Sequence, residues 1–271
     1  MKHSTKIVVV TIAAEVLIIA GVIAILALAD TRWRWVFAVL WLLFMFIALV
    51  FAVMPITNRQ RRELRAMLFD RCDPDSTIRE IYASVRPSQY SRLPFDLSML
   101  LYEAHYAQGR YEDALRDLQS TRLRYPGSLG RLYRALWLLN LGEIKHALGR
   151  YDESEAALEE CRALTQSGNL KPKAQEILLR GVDYERLLLS VRQGNFAGAE
   201  EVLHTRLAEA TTEYVRVCIH YWLGVVYARQ GQEDKAREAW EYAAAHGAAI
   251  RFAVLARDAL GSEPAADSAH T

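Results

Sequence analysis

The chain has few cysteines and few lysines, and it carries almost no net charge. Its 271 residues include 33 basic and 32 acidic side chains, so it lacks the basic excess typical of nucleic-acid-binding proteins. Cys72, Cys161 and Cys218 are odd in number and widely spaced, which argues against a disulfide framework and favours small core residues in a reducing compartment. Only six basic residues are lysine, and this arginine bias favours a GC-rich bacterial source.

Catalytic signatures are also missing. The sequence contains no G-x-G-x-x-G, no G-x-x-x-x-G-K-[ST], no H-E-x-x-H and no G-x-S-x-G. Glu200 and His204 lie one helical turn apart but have no third ligand, so they do not predict a metal site. We therefore expect no catalytic residue, no metal and no cofactor. An enzyme is the remote alternative, and it would be favoured if changing His105, His146 or Glu103 abolished a turnover.

Charge is scarce at the start of the chain. Residues 1–58 hold four basic and two acidic side chains, and the stretch from 7 to 29 holds one charge, Glu15. The stretch from 35 to 54 holds none. Each stretch is long enough as a helix to cross a bilayer core of about 30 Å. The sequence therefore predicts two transmembrane helices, about 7–29 and 35–54, that form a hairpin.

The flanks of this hairpin predict its orientation. Two basic residues lie in the connecting turn, and six lie outside the hairpin at its two ends: Lys2, Lys6, Arg59, Arg61, Arg62 and Arg65. By the positive-inside rule, both termini and the soluble body face the cytoplasm from the cytoplasmic membrane. The four arginines after the second span either report topology alone or also contact anionic lipid headgroups.

Two features of the first span leave alternatives open. Ala27-Leu28-Ala29 fits the cleavage pattern of a signal peptide, although the second span would return the body to the cytoplasm either way. Glu15 lies inside the span, because starting after it leaves too few residues to cross. Such an acid either pairs with a partner membrane protein, or is protonated against the second helix, or reaches toward the near surface.

The rest of the chain repeats one pattern of glycine, aromatic and small residues. The four turn sequences are GRYEDA, GRYDES, GNFAGA and GQEDKA, and they begin at Gly109, Gly149, Gly194 and Gly231. In the fourth copy the pattern runs through His220, Leu223, Gly224, Tyr227, Gly231, Ala236, Trp240 and Ala243. This pattern resembles the tetratricopeptide repeat (TPR).

The resemblance implies an all-α fold in which antiparallel helix pairs stack into a solenoid. Glycine at each turn tolerates the positive φ of a helix end, and the small residue five positions later lets the second helix approach the first. The turn glycines are 40, 45 and 37 residues apart, longer than the family period of 34. We therefore expect longer helices or inserted links, notably at 167–172.

The domain boundaries follow from these patterns. We predict a transmembrane hairpin at 1–58, a basic juxtamembrane helix and linker at 59–93, a solenoid of about four repeats at 94–260 and a disordered tail at 261–271. In the linker, Asp75 or Ser76 is expected to cap a helix that runs through Val85. A capping helix is expected to close the solenoid with an apolar stripe of Phe252, Leu255, Ala256, Ala259 and Leu260.

The resemblance also implies a function. In the family, the inner face of the first helices forms a groove for a peptide, and spacing from the turn glycines assigns that face to Asp96, Met99, Glu103, Tyr106, Leu136, Glu143, His146, Tyr184, Tyr221 and Val225. We expect a membrane-anchored scaffold that binds a protein or peptide segment and helps assemble or regulate a membrane-associated complex. The alternative is a structural subunit whose main contacts are made by the hairpin through Glu15.

Overall fold

The described part of the chain is entirely helical. A computed structural model describes residues 2–28, 34–85, 93–123, 125–168 and 170–261. These residues form twelve α-helices and contain no strand, which confirms the predicted all-α class. The helices are α1 (Lys2–Leu28), α2 (Arg34–Phe69), α3 (Pro74–Ser84), α4 (Phe95–Ala107), α5 (Tyr111–Ser120), α6 (Gly127–Ala147), α7 (Tyr151–Gln166), α8 (Pro172–Arg192), α9 (Ala199–Glu209), α10 (Glu213–Arg229), α11 (Glu233–His246) and α12 (Arg251–Gly261).

The chain divides into two compact units whose boundary falls inside α2. The first unit is Met1–Leu64 and the second is Arg65–Thr271. Among the described residues, one helix is long and apolar enough to cross a membrane by length and composition, the stretch Trp35–Phe69 of α2. In α1 the apolar stretch over which side chains are described is shorter, Ile12–Ile25. The predicted turn between the two spans lies largely outside the described residues.

Small residues mark the packing of α1 against α2 within the first unit. Gly21 lies directly against the indole of Trp41, where a methyl group would have no room. Ala14 and Ala38 are buried, and small residues are what allow membrane helices to approach closely. Most large apolar side chains on the two helices face outward and are exposed. The first unit therefore carries an apolar outer surface of the kind that lipid covers.

Helix α2 continues beyond residue 54, the predicted end of the second span. The helix continues through Pro55 to Phe69. Proline removes one backbone donor from the helix, and the hydroxyl of Thr57 donates to the carbonyl of Met54 at 3.0 Å in the same turn. The predicted juxtamembrane helix from Arg59 is thus the end of α2.

In the second unit, the four predicted turns share one backbone geometry. Gly109, Gly149, Gly194 and Gly231 have φ between 73° and 90°, the left-handed region that favours glycine. In each turn the residue after the glycine donates a backbone hydrogen bond of 2.9 Å to a carbonyl five positions earlier, as from Arg110 to His105. This bond is the signature of a Schellman helix end. The predicted role of the turn glycines is therefore confirmed.

The small residues after each turn pack as predicted. Ala114, Ser154, Ala199 and Ala236 stand five positions after their glycines, and all four are at most 1% exposed. Ser154 also uses its hydroxyl, which donates to the carbonyl of Gly142 at 2.8 Å. Burial of these residues lets the second helix of each pair lie close to the first.

The third repeat departs from the others. Its second helix, α9, begins five residues after the turn glycine instead of two, because Gly198 adopts a second left-handed conformation at φ 69°. The position occupied by Gly142 and Gly224 in the second and fourth repeats holds Leu187 here. Helices α8 and α9 are less closely packed than the helix pairs of the other three repeats, and a cavity of about 300 Å³ lies between them.

The flanking helices differ in detail from their predictions. Helix α3 ends at Ser84, and its cap is Asp73, not Asp75 or Ser76. The Asp73 carboxylate accepts a hydrogen bond from the backbone N–H of Ser76 at 3.0 Å, and Pro74 occupies the first helical position, where its missing N–H costs nothing. Most of the predicted loop after this helix, 86–92, lies outside the described residues.

The predicted capping helix is present as α12. It buries Phe252, Ala253 and Ala256, while Leu255 is half-buried. None of the five residues of the predicted stripe is exposed, and Ala253 is buried beside them. Gly261 ends this helix, and the rest of the predicted tail, 262–271, lies outside the described residues.

Candidate functional site

The first helices of the four repeats, α4, α6, α8 and α10, bring polar and aromatic side chains together. We call this surface the inner face and define it by the side chains that interact there: Tyr102, Glu103, Tyr106, Glu143, His146, Tyr184, Glu185, Tyr214, Cys218 and Tyr221. Each element contributes because its turn glycine fixes where the first helix ends, and so fixes which of its residues face inward.

Five of the predicted groove residues belong to the inner face as one group. Glu103 and Tyr106 of α4 interact with Glu143 of α6, and so does Tyr184 of α8. His146 joins the group through α8, because its Nδ1 lies 3.7 Å from a carboxylate oxygen on that helix. Glu103, Glu143 and Tyr184 are half-buried and keep contact with solvent.

Of the other predicted groove residues, only Tyr221 belongs to the inner face. Asp96 is exposed near the start of α4, and Met99 is buried, where its sulfur accepts from Asn140 Nδ2 at 3.5 Å. Leu136 packs against the core of the second and third repeats, and Val225 is half-buried on α10. Tyr221 lies at the far side of the inner face, with its ring centroid 5.4 Å from that of Phe252 in α12.

Sequence reasoning missed Glu185. It is 9% exposed and its carboxylate contacts His146. Its position does carry a signal, because Val182, Glu185 and Leu189 form a buried stripe at helical spacing on α8. An acidic residue inside an apolar stripe is uncommon unless it is paired. Spacing from the turn glycine selects the adjacent residue, Tyr184, and therefore does not select Glu185.

Three carboxylates from three successive first helices therefore face one another. Burial and the charge of Glu143 raise the pKa of Glu103 to about 7, against the attraction of Arg65. Burial and the charge of Glu185 raise the pKa of Glu143 to about 8, although the Tyr102 hydroxyl donates to Glu143 Oε2 at 2.8 Å. Glu143 is the central member, with a carboxylate neighbour on each side.

The third carboxylate, Glu185, and the neighbouring His146 also have shifted pKa values. Burial raises the pKa of Glu185 to about 7, and Arg192 and Arg206 oppose this shift. Burial and the nearby charge of Arg192 lower the pKa of His146 to about 4, so the imidazole is neutral at pH 7. The inner face thus holds carboxylates that share protons near neutral pH.

The thiols and hydroxyls of the second unit are poor nucleophiles. Burial raises the pKa of the Cys72 and Cys161 thiols to about 11 and raises the pKa of the Cys218 thiol well above its ordinary value of 9.0. Burial also raises the pKa of Tyr106 and Tyr184 well above 10. Since thiolate and phenolate are the reactive forms, these groups are suited to packing and hydrogen bonding.

The ends of the second unit curve around and touch. The Arg251 side chain of α12 lies across Gly109 in the first turn and hydrogen-bonds Tyr111. On another side, the ring of Phe69 at the end of α2 packs edge-on against Tyr214 of α10, with centroids 5.8 Å apart. The inner face is therefore flanked by contacts between the first and last repeats, which no local sequence pattern predicts.

This closing contact has a measurable consequence. Gly109→Ala and Gly149→Ala both place a side chain at positive φ, which we expect to cost each about 1 kcal/mol of unfolding free energy. At Gly109 the new methyl would also lie 2.9 Å from Arg251 Cδ, whereas nothing lies within 4 Å at Gly149. We expect Gly109→Ala to be the more destabilising in urea unfolding. The contact between Arg251 and Gly109 would be contradicted if the two variants lost equal unfolding free energy. It would also be contradicted if the larger loss of Gly109→Ala persisted when Arg251 was replaced by alanine.

The fold and its inner face define a class: helical-repeat solenoids, whose stacked helix pairs form extended concave binding surfaces. A sequence profile described as Tetratricopeptide repeat matches residues 101–168 and 184–251, which together make up half of the chain. The chain belongs to the tetratricopeptide repeat family. Each matched segment contains two of the four turns described above. No curated protein and no solved structure matches the chain.

Membership of the family agrees with the resemblance on which the predicted fold was based. Its repeats support a protein-binding scaffold or adaptor, and the family is typically an interaction fold without catalysis. Within the described residues, no group of three or more His, Cys, Asp or Glu side chains has the geometry of a metal site. The inner face is thus best read as a recognition surface.

Proposed function

We propose that this protein is a membrane-anchored scaffold whose repeats bind a protein or peptide segment and help to assemble or regulate a membrane-associated complex. The proposal is supported by the presence of two features in one chain. One is a pair of N-terminal helices with an apolar outer surface, and the other is a repeat domain with a polar inner face. Anchoring raises the local concentration of the repeats near membrane partners, which strengthens binding without any new contact.

The proposed architecture has four parts. Residues 1–58 form a two-pass hairpin, 59–93 a juxtamembrane helix and linker, 94–260 the solenoid and 261–271 a tail. The length and apolar outer surface of α2 support the second span, and the apolar stretch of α1 supports the first. The basic residues Arg59, Arg61, Arg62 and Arg65, all in the last part of α2, support a cytoplasmic position for the repeats.

Protease accessibility tests the proposed topology. With a reporter epitope at the C-terminus, we expect the repeats to survive protease added outside intact bacterial cells and to be degraded after the cells are opened. The physical reason is that two crossings return the chain to the side of its basic flanks. Degradation in intact cells, with a cytoplasmic protein preserved as control, would place the repeats outside and contradict the proposal.

A second candidate function is favoured by one observation. Glu15 is exposed on the first helix, among the exposed apolar residues Ile12, Val16, Leu17 and Ile19. An acid on a lipid-facing surface is costly unless a partner contacts it. The protein would then be a structural subunit of a membrane complex held by its hairpin.

Replacing Glu15 with leucine separates the two candidates. If the hairpin makes the main contact, Glu15→Leu should release co-purifying partners while the helical content of the repeats stays unchanged. If the repeats make it, partners should remain bound. Glu63→Gln is a control of similar charge change at the end of the same unit.

A further inference from the structure

The inner face contains a carboxyl group, Glu143, that has no basic neighbour among the groups that shift its pKa. Among the groups that shift the pKa of Glu143, the charged one is another carboxylate, Glu185, and the rest are tyrosine hydroxyls. In contrast, Glu185 lies near Arg192 and Arg206. Within the described residues, Glu103 makes no hydrogen bond and no ion pair within 4 Å, although it is half-buried. The cluster therefore offers carboxylate acceptors that the chain itself does not fill.

A second observation is independent of the carboxylates. His146 is 4% exposed, its Nδ1 lies 3.7 Å from Glu185 Oε2, and its Nε2 has no hydrogen-bond partner among the described residues. In a neutral imidazole one ring nitrogen is a donor and the other an acceptor, and in the tautomer with the proton on Nδ1 the unpartnered Nε2 is the acceptor. A buried acceptor without a donor is destabilising, so in that tautomer this nitrogen also favours an N–H or O–H donor from outside.

Arginine fits these vacant acceptors better than other donors do. A guanidinium has five N–H groups in a planar fork, enough to serve more than one carboxylate and an imidazole nitrogen. A shared metal ion is disfavoured, because no three of the described acidic, cysteine or histidine side chains meet the geometry of a metal site.

We infer that Glu103, Glu143, Glu185 and His146 form a binding site for an arginine side chain of the partner segment. This inference rests on the proposed peptide-binding function and adds the residue that the inner face selects. Glu103 and Glu143 are only half-buried, so a side chain can reach them from solvent. Glu143 lies at the centre and is the residue whose charge the guest neutralises.

Selection from random peptides tests the inference without knowledge of the partner. A phage-displayed library of 12-residue peptides is panned on the full-length chain in detergent micelles, and the affinities of the selected peptides are measured by fluorescence anisotropy. We expect arginine to be enriched at one position, and its replacement by neutral, isosteric citrulline to weaken binding about tenfold or more, the effect of removing one partner of a desolvated charge pair.

A double-mutant cycle connects the peptide arginine to the cluster. In Glu143→Gln the change from arginine to citrulline should weaken binding less than about twofold, because the carboxylate that it contacts is already gone. Glu241→Gln, an exposed change on α11, is the matched control and should behave as the wild type. Glu103→Gln provides a second variant, and circular dichroism reports whether each chain is folded.

The outcomes separate the inference from the function on which it rests. Selected peptides without an arginine preference, or an equal citrulline effect in wild type and Glu143→Gln, would overturn the arginine site and leave peptide binding intact. If no peptide is selected at all, the peptide-binding function fails and the arginine site fails with it.

Discussion

Gly224→Ala is expected to lower the free energy of unfolding by about 2–3 kcal/mol, the upper range for overpacking a core. A methyl carbon at this position would lie 2.8 Å from Cε2 of the Trp240 indole and closer still to Nε1. The indole cannot move freely, because it is stiff and its Nε1 donates to the carbonyl of Tyr221 at 3.3 Å. Relief of the clash therefore requires α10 and α11 to separate.

Urea unfolding of the detergent-solubilised chain, followed by circular dichroism, measures this loss. Gly261→Ala is the matched control, because it makes the same change in a helix where no atom lies within 4 Å. We expect that variant to be as stable as the wild type or slightly more so, since alanine is the better helix former. A Gly224→Ala chain as stable as the Gly261→Ala chain would show that the two helices are not in close contact.

The stability of the repeats is expected to fall as the pH rises from 6.5 to 8.5. Glutamate has an ordinary pKa of 4.5, and burial raises the pKa of Glu103, Glu143 and Glu185 to between about 7 and about 8. The folded chain thus binds more protons than the unfolded chain between pH 4.5 and about 8, and its stability decreases through that window. Allowing for partial solvent exposure, we expect a loss on the order of 2 kcal/mol.

His146 determines the lowest pH at which the glutamates alone account for the pH dependence of stability. Its folded pKa is lowered from 6.5 to about 4, so the unfolded chain binds more protons between these values and stability rises with pH there. Above pH 6.5 the histidine no longer contributes, and the glutamates can be observed by themselves. Below pH 6.5 this rise is smaller than the opposite contribution of the three glutamates, so we expect the net stability to decline with rising pH from about 4.5 to about 8.

Glu143→Gln identifies the source of the decline. The amide keeps a hydrogen-bond acceptor for Tyr102 but has no charge, so we expect the variant to lose much of the pH dependence and to exceed the wild type in stability at pH 8.5. Glu241→Gln, on the outside of α11, should retain the full decline. Parallel pH curves for wild type and Glu143→Gln would contradict the raised pKa of the cluster.

Features that depend on residues close in sequence were predictable. The turn glycines, the small residues after them and the helical class all follow from local steric rules, which act within a few residues. The choice among several possible capping residues was less reliable. The cap of α3 falls at Asp73, two positions before the nearer of the two predicted residues.

The inner face was predictable only in part. Spacing from the turn glycines found Glu103, Glu143 and Tyr184, because those glycines fix the rotation of each first helix at its end. The same spacing included Leu136, which packs into the core, and omitted Glu185. One position along a helix turns a side chain by about 100°, so a small error in register moves it from core to surface.

The sequence by itself determined that the chain has a charge-poor front part and a body of repeated helix pairs, because hydrophobic runs and turn residues act locally. Only the tertiary structure decided that three glutamates meet beside a neutral histidine and that Arg251 reaches the turn at Gly109. These contacts join residues tens of positions or more apart. They depend on the summed rotation of successive repeats, which no single repeat encodes.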